Sequence, residues 1–255
     1  MTEHPILFNE PMSAAVRAGR KSQTRRAMTP QPFFDDRGLL WWHWSKHAGS
    51  ACDQPVGAPS DAWLARSPYG VPGDHLWVRE TFVAYGRWET RFSAKKGRDE
   101  WHFVDMTLET GREYRFDGAL QNAKRDSVLP TWWRRPSIFM PRAAARTLLE
   151  VTSTRIERLQ EISEEDAVAE GVESPDVERY DHDWSICPRC GGTRLYDAIG
   201  VNGGVLPDTD CMLCDTHAKR YRHLWDCLYA ARGYGWDTNP WVWLVEFKRV
   251  GGTSE

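Results

Sequence analysis

The pattern of apolar and polar positions predicts strands at both ends of the chain and helices between them. Residues 6–8 form a short apolar run typical of a strand, and residues 10–18 carry apolar side chains at helical spacing before Gly19. The run 241–247 is strongly apolar and β-branched or aromatic, as in a buried strand. Further strands are predicted over 76–83, 101–107, 113–116 and 145–159, the second and third as a hairpin.

Helix signals follow the predicted strand 145–159. Ser163 is a natural N-cap, Asp166 stands at the capping-box position, and Gly171 is a helix stop. Residues 218–231 show a second amphipathic helix. Strands and helices do not alternate as βαβ units, so the pattern favours an α+β fold on a mixed or barrel-like sheet. Residues 30–72 lack a period and are rich in Pro, Gly and Ser, which indicates an irregular insertion and a candidate lid.

Two CxxC pairs predict a structural zinc ribbon over residues 180–216. Cys187 and Cys190 form the first pair, and Cys211 and Cys214 the second, with 20 residues between them. Four cysteine ligands close a tetrahedral site, so the zinc would hold structure and leave no position for catalytic water. A pair of redox dithiols is the alternative interpretation, and His217 is an alternative ligand that four cysteines make unnecessary.

Composition narrows the class of protein without naming a partner. The chain has 255 residues, 41% of them hydrophobic, and a formal net charge of -3, which argues against nonspecific coating of nucleic acid. Neither a signal peptide nor a run long enough to span a bilayer is apparent, and the cysteine usage fits a reducing compartment. We therefore expect a cytoplasmic protein with no membrane partner; the sequence leaves its oligomeric state open. Cys52 and Cys227 are expected to be ordinary thiols.

Two basic segments are candidates for binding nucleic acid. Residues 20–26 (Arg-Lys-Ser-Gln-Thr-Arg-Arg) follow a helix end and indicate a functional loop or strand edge. A second cluster combines arginines with tryptophans, which suits gripping a backbone and stacking a base; a solvated face with two core tryptophans is the alternative. Its members are Trp132, Trp133, Arg134, Arg135, Arg142 and Arg146.

Several short motifs together resemble the ASCH domain of the PUA-like superfamily. They are Gly19-Arg20-Lys21 with Thr24, Gly73-Asp74, Ala169-Glu170-Gly171 and Val245-Glu246-Phe247. A narrower, phage- and prophage-encoded ASCH-like group is indicated by residues 20–26, Trp77–Thr81, Pro136–Ile138 with Met140–Arg142, and Gly233–Trp236. The resemblance implies one domain over 1–255: a mixed β pseudo-barrel with flanking helices that binds RNA, nucleotides or modified bases, into which the zinc ribbon is inserted.

The resemblance also implies a reaction. One ASCH branch similar to this chain contains N4-acetylcytidine amidohydrolases that use a lysine, a threonine and a glutamate, matched here by Lys21, Thr24 and Glu170. A threonine hydroxyl needs a base to become a nucleophile, and a desolvated lysine can serve as that base. Glu170 would act as the acid. The chain is more than twice as long as those hydrolases, so the substrate is a separate question. Expected binding residues are Arg20, Arg25, Arg26, Arg79, Glu80, Trp132, Trp133, Arg134, Arg135 and Arg142.

Other functions stay open at this point. Lys21, Arg25 and Arg26 could be a phosphate-contacting patch, with Glu170 only capping its helix. The protein would then be a non-catalytic reader of RNA or modified bases. A ribonuclease is a further alternative, because an amine and a hydroxyl could also act on a 2′-OH and its phosphate. The expected partner in each case is a nucleoside or a single-stranded nucleic acid.

Overall fold

A computed structural model describes residues 1–43, 52–54, 61–118, 120, 124–172, 187–191 and 193–251. It contains both helices and strands, which confirms the α+β class. The helices are α1 (Glu10–Arg17), α2 (Asp61–Leu64), α3 (Glu164–Ala169) and α4 (His217–Tyr229). The strands are β1 (Glu3–Leu7), β2 (Gln23–Ala27), β3 (Phe33–Phe34), β4 (Leu40–Trp42), β5 (Cys52–Gln54), β6 (His75–Arg79), β7 (Phe82–Ser93), β8 (Arg98–Asp105), β9 (Thr131–Arg135), β10 (Leu148–Arg158), β11 (Leu195–Ile199), β12 (Val205–Asp210) and β13 (Trp241–Gly251).

The chain packs as two compact units. Unit 1 consists of Met1–His4, Ala15–Leu76 and Leu149–Val250. Unit 2 consists of Pro5–Ala14, Trp77–Leu148 and Gly251–Glu255. In the described residues, no helix is both long and apolar enough to cross a membrane.

The largest sheet has five strands in the order β1-β6-β10-β13-β2. The predicted closing strand is present as β13, and its Val242, Leu244 and Val245 are fully buried, as the apolar run requires. Strand β2 is the edge strand and pairs antiparallel with β13, with Thr24 opposite Val245. The basic segment 20–26 is therefore a strand edge preceded by a short stretch of loop, which confirms that prediction.

Two predicted strands differ from the structure. Residues 76–83 do not form one strand, because β6 ends at Arg79 and β7 begins at Phe82. Glu80 lies at this break, where its buried carboxylate accepts from Arg146 at 2.9 and 3.0 Å. Residues 113–116 contribute only an isolated bridge from Arg115 to Val83, and the partner of β8 is the 12-residue β7.

The region 30–72 is more regular than its composition suggests. Strands β3, β4 and β5 form a small sheet, and the four-residue α2 follows. Trp42 and Trp63 are buried there. These elements are too short to show a period in sequence, so composition alone hid them. Residues 44–51 and 55–60 of the predicted lid lie outside the described residues.

The two predicted helices near the candidate site are present. Ser163 accepts a hydrogen bond from the Asp166 N–H at 3.1 Å, and the Asp166 carboxylate accepts from the Ser163 N–H, so the capping box is confirmed. Helix α4 begins after the N-cap Thr216 and buries Tyr221, Trp225 and Tyr229 against α3 and β13. Strands β11 and β12 form a hairpin between the two cysteine pairs.

Candidate functional site

Lys21 lies in the loop between α1 and β2, where the chain is tied to the ends of two helices. Its N–H donates to the carbonyl oxygen of Ala15 at 3.2 Å, and the N–H of Ser22 donates to that of Ala169 at 2.9 Å. These bonds satisfy carbonyls at the C-terminal ends of α1 and α3, which have no partner inside their own helices. The Lys21 side chain is fully buried as a result.

Glu170 is the C-cap of α3, and Lys21 contacts it twice. The Lys21 Nζ donates to Glu170 Oε2 at 2.7 Å and to the Glu170 carbonyl oxygen at 2.7 Å. The two residues are 149 positions apart in sequence. The fold thus brings together two of the three residues that the resemblance implies for catalysis.

Gly171 allows this contact because it has no side chain to meet Lys21 at the end of α3. Its φ is +84°, a left-handed conformation that suits glycine at a helix end. A Cβ at this position would lie 3.0 Å from the Lys21 Cβ and 3.3 Å from the Ala15 Cβ. Any side chain at this position would therefore displace Lys21 or Ala15 from its present position.

Arg25 joins Glu170 to two more carboxylates. Its guanidinium donates to Glu157 Oε1 at 2.9 Å and Asp166 Oδ2 at 2.8 Å, and lies 3.5 Å from Glu170 Oε1. The side chain of Arg25 is completely buried, so it organises the carboxylates and does not present a guanidinium at the surface. We call Lys21, Arg25, Glu157, Asp166 and Glu170 the buried charge cluster.

Burial controls the protonation of the buried charge cluster. It lowers the pKa of Lys21 below the ordinary 10.5, although the Glu170 carboxylate opposes the change. Burial also raises the pKa of Glu157 against the effect of Arg25. Burial disfavours ionisation of Asp166 as well, but there Arg25 and a hydrogen bond from Gln23 prevail and lower the pKa below 3.8. The lysine is the cation of this cluster that burial makes easier to deprotonate.

Thr24 is buried on β2, and among the described residues it makes no side-chain hydrogen bond to Lys21 or Glu170. Gln23 and Arg25 both donate to Asp166, so by strand alternation the Thr24 side chain extends from the other face of β2. The described residues include no hydrogen bond from the Thr24 hydroxyl. Lys21 precedes the strand, so the alternation of β2 does not fix its direction relative to Thr24.

Aromatic residues of α4 border the same region, and sequence reasoning did not assign them to the site. The Tyr229 hydroxyl lies 3.5 Å from Arg26 NH1, and the Tyr229 ring stacks on Trp225 at 4.2 Å. Burial, reinforced by Glu170, raises the pKa of Tyr221 well above 10.0. Tyr221, Trp225 and Tyr229 recur every fourth residue, and this spacing was the available signal.

A cleft of about 630 Å³ lies in unit 1, beside the end of β2 at Ala27. Two buried tryptophans, Trp42 and Trp243, contact each other edge to face at 5.5 Å and line it. Tyr69 also lines it; burial raises the pKa of Tyr69, while nearby Arg26 opposes the increase. We call this the aromatic cleft; its other lining residues are Ala27, Thr29, Ala65, Arg66, Ser67 and Pro68.

The four cysteines are buried and lie close together. All four Sγ atoms are within 4.8 Å of one another, with Cys187 and Cys211 3.7 Å apart and Cys190 and Cys214 3.3 Å apart. Sulfurs bound at about 2.3 Å around one tetrahedral metal would be about 3.8 Å apart, so the arrangement fits a metal. His217 instead contacts Glu164 through Nδ1 at 3.2 Å.

The cysteine cluster is linked directly to α4. The Nε of buried Arg220 donates to the carbonyl oxygen of Cys214 at 3.0 Å. Thr216, two residues after Cys214, caps the helix by accepting from the Lys219 N–H at 3.2 Å. The cluster thus fixes the start of the helix that carries Tyr221 and Tyr229.

In unit 2, the pleat of β9 divides the predicted arginine–tryptophan cluster. Trp132 and exposed Arg134 lie on one face of the strand, and Trp133 and buried Arg135 on the other. The Arg135 guanidinium stacks on Trp88, Phe103 and Phe139, and Trp133 Nε1 donates to a backbone carbonyl, so this second pair serves packing.

The remaining predicted residues also have defined places. Arg79 donates to the carbonyl oxygen of Ile138 and lies over the Trp77 ring. The Glu80 carboxylate accepts a hydrogen bond from Arg146, whose guanidinium carbon lies 3.9 Å from the centre of the Phe116 ring. Arg142 is exposed in a short 3-10 helix, and Arg20 is exposed beside Lys21.

Comparison of the chain with protein-family models, curated proteins and solved structures finds no match. The motifs and the geometry of the site are therefore the grounds on which a family and a function can be proposed.

Proposed function

We propose that this protein is an ASCH-type hydrolase with a PUA-like fold, which binds a nucleoside or nucleic-acid base and cleaves an N-acyl amide on it, as in N4-acetylcytidine. The observation that carries the proposal is the buried contact of 2.7 Å between Lys21 Nζ and Glu170 Oε2. Perturbed, desolvated pairs of titratable groups concentrate at functional sites.

The Lys21–Glu170 contact supplies a base and an acid together. Transfer of a proton from Nζ to Oε2 leaves a neutral amine and a protonated carboxyl group, and burial lowers the cost of this neutral state. The amine accepts the proton of the attacking hydroxyl, and the carboxyl group donates a proton to the departing exocyclic amine. Thr24 is the nucleophile that the resemblance implies: its oxygen bonds to the acyl carbon as the C–N bond breaks, and water then hydrolyses the ester, which releases acetate and restores the hydroxyl. This role is expected from the resemblance and not from the geometry, because the Thr24 side chain extends from the face of β2 opposite Arg25.

The aromatic cleft supports a planar substrate. Trp42, Trp243 and Tyr69 offer ring faces and edges for an apolar, flat group, and the lining residues Thr29, Arg66 and Ser67 carry hydrogen-bonding side chains. A nucleobase matches this chemistry, because bases combine an aromatic ring with polar edges.

Turnover of N4-acetylcytidine tests the reaction. The wild-type protein is expected to release cytidine and acetate, which chromatography separates from the substrate. Glu170→Gln and Lys21→Met should each lower kcat/KM by about 100-fold or more, the usual contribution of general acid–base catalysis. Thr24→Val should lower it comparably if the hydroxyl is the nucleophile.

A matched control uses another Lys–Glu pair of unit 1. Lys248 and Glu150 are 3.0 Å apart, but the Lys248 side chain is 59% exposed. Lys248→Met should leave turnover unchanged. Equal activity of wild type and Glu170→Gln would contradict the proposed chemistry.

We also propose that the four cysteines hold zinc in a structural site. The four sulfurs satisfy the full tetrahedral shell of zinc and leave no open position for water, and the site stands before α4. Elemental analysis should find one zinc per chain, and Cys187→Ser with Cys190→Ser should release it. Chelation should destabilise unit 1 by about 3 kcal/mol relative to protein in a 100-fold excess of metal over its Kd. A chain that purifies without metal and is unaffected by chelator would contradict this.

A non-catalytic base reader is the second candidate. It is favoured by the pairing within the buried charge cluster, where every carboxylate already accepts a hydrogen bond from Lys21 or Arg25. Groups paired in this way can serve structure alone. Binding of N4-acetylcytidine with no turnover, and no effect of Glu170→Gln on its Kd, would support the reader over the hydrolase.

A further inference from the structure

The charges of the chain are distributed unevenly. The stretch 77–148 of unit 2 contains 14 Lys and Arg against 9 Asp and Glu, a formal charge of +5. The rest of the chain therefore carries -8, since the total is -3. The near-neutral net charge conceals a basic region, which is a common electrostatic feature of proteins that bind nucleic acid.

Within this stretch, two arginine–ring pairs lie next to each other. The Arg112 guanidinium lies 4.0 Å from the centre of the Tyr85 ring, and Arg115 lies 3.9 Å from that of Trp132. Tyr85 and Trp132 are directly opposite on β7 and β9 and contact edge to face at 5.4 Å. Arg134 follows Trp132 on the same face of β9. We call Tyr85, Arg112, Arg115, Trp132 and Arg134 the arginine–aromatic face.

The three arginines of this face are exposed and have no carboxylate partner among the described residues. Other exposed arginines of the same unit do have one: Arg91 pairs with Glu89 at 2.6 Å, and Arg98 lies 3.8 Å from Glu100. Three uncompensated guanidinium groups, of which those of Arg112 and Arg115 lie against rings, form a surface that favours an anion with flat groups attached.

A cleft of about 340 Å³ opens on this face and is lined by Arg112, Glu113, Tyr114, Arg115 and Trp132. Glu113 would repel an anion there, so phosphates are expected at the guanidinium groups and an uncharged base against the ring of Trp132. A polyanion with unstacked bases satisfies both conditions, whereas a duplex keeps its base faces covered.

We propose that the arginine–aromatic face binds a single strand of nucleic acid, with Arg112, Arg115 and Arg134 at its phosphates and Trp132 stacked on a base. This site belongs to unit 2 and does not depend on the hydrolysis proposed for the buried charge cluster of unit 1. It also retains only Trp132 and Arg134 of the cluster that the sequence indicated, and adds three residues to them.

Fluorescence anisotropy of a labelled oligouridylate and a labelled oligothymidylate, each of about ten nucleotides, tests the proposal. Wild-type protein should bind one or both strands, more weakly as salt rises, and more tightly than a duplex of the same length. The variant with Arg112→Ala, Arg115→Ala and Arg134→Ala should bind at least about tenfold more weakly. Its slope of log K against log salt should be smaller by about 2, because each phosphate contact contributes about 0.7.

A charge-matched control separates this face from net charge. Arg37, Arg155 and Arg222 are exposed arginines of unit 1, and replacing all three by Ala removes the same charge. This variant should bind as wild type does. Trp132→Ala should weaken binding about tenfold, and Trp132→Phe less, because a ring is retained.

Three results would overturn the proposal: no strand binding by the wild-type protein, equal losses in the two triple variants, or a duplex bound as tightly as a single strand. Circular dichroism of each variant shows whether it is folded, which is expected for exposed positions. Turnover of N4-acetylcytidine by the Arg112→Ala, Arg115→Ala double variant should equal that of wild type, so failure of one proposal leaves the other standing.

Discussion

The buried charge cluster of unit 1 and the arginine–aromatic face of unit 2 use the same residue type in opposite ways. Arg25 is fully buried and contacts three carboxylates. Arg112 and Arg115 are exposed and lie on rings, with no carboxylate partner among the described residues. In the first region, charge is balanced inside the protein; in the second, it is left for an external anion.

The local sequence of a basic segment therefore does not reveal its role. Both Arg25-Arg26 and Arg134-Arg135 are adjacent arginine pairs in strands, and in each pair one member is buried. A buried guanidinium requires partners within the protein, because an unpaired charge in the interior is costly. Exposure and pairing therefore separate a structural arginine from a binding one.

The largest predicted change is in the free energy of unfolding when a carboxylate is removed from a buried or from an exposed ion pair. Glu170→Ala should lower the free energy of unfolding by about 3–5 kcal/mol, because it leaves Lys21 buried without its carboxylate. Glu150→Ala breaks the exposed pair with Lys248 and should cost about 1 kcal/mol or less. Urea unfolding measures both. Similar losses in the two variants would show that the buried pair is not a special contact.

A smaller effect is expected where the chain passes close to Lys21. Gly171 and Gly233 both have φ of +84°, but only Gly171 has neighbouring atoms within 4 Å of the point that a Cβ would occupy. Gly233→Ala should cost about 1–2 kcal/mol from backbone strain alone. Gly171→Ala should cost about 1 kcal/mol more, because its Cβ meets Lys21 and Ala15. Thermal unfolding compares them, and equal shifts in Tm would exclude the crowding argument.

The smallest effect is a difference in pH dependence between the two regions. The proposed chemistry needs the Lys21–Glu170 pair to hold one proton, which the amine passes to the carboxylate. Burial lowers the pKa of Lys21, so kcat/KM should fall as pH rises, with a midpoint below 10.5. Because the unfolded lysine binds its proton more tightly, the free energy of unfolding should instead rise with pH up to 10.5, by at most about 1.4 kcal/mol per pH unit.

The affinity for single-stranded nucleic acid is expected to depend on pH differently from hydrolysis. Arginines stay protonated in the same pH range, so the affinity for an oligonucleotide should not change there. A pH-rate profile of wild type against anisotropy titrations at the same pH values makes the comparison. A flat profile for hydrolysis would remove Lys21 from the proposed chemistry.

Local signals predicted the elements around the site well. The capping box at Ser163, the stop at Gly171 and the apolar run of β13 each depend on neighbours in sequence, and all three are present. The break between β6 and β7 was not predicted; Glu80 lies at this break and is bound by Arg146, 66 positions away, a contact that local sequence does not reveal. The short strands β3 to β5 have no period long enough to detect.

The order of residues is enough to identify the groups that are chemically equipped to act: four cysteines with metal-ligand spacing, a lysine in a basic segment and a glutamate at a helix end. Which of these groups meet depends on the folded chain, because contacts such as Lys21 with Glu170 join residues 149 positions apart. The folded chain also decides which arginines are enclosed and which are exposed, since burial depends on packing of the whole chain and not on adjacent residues.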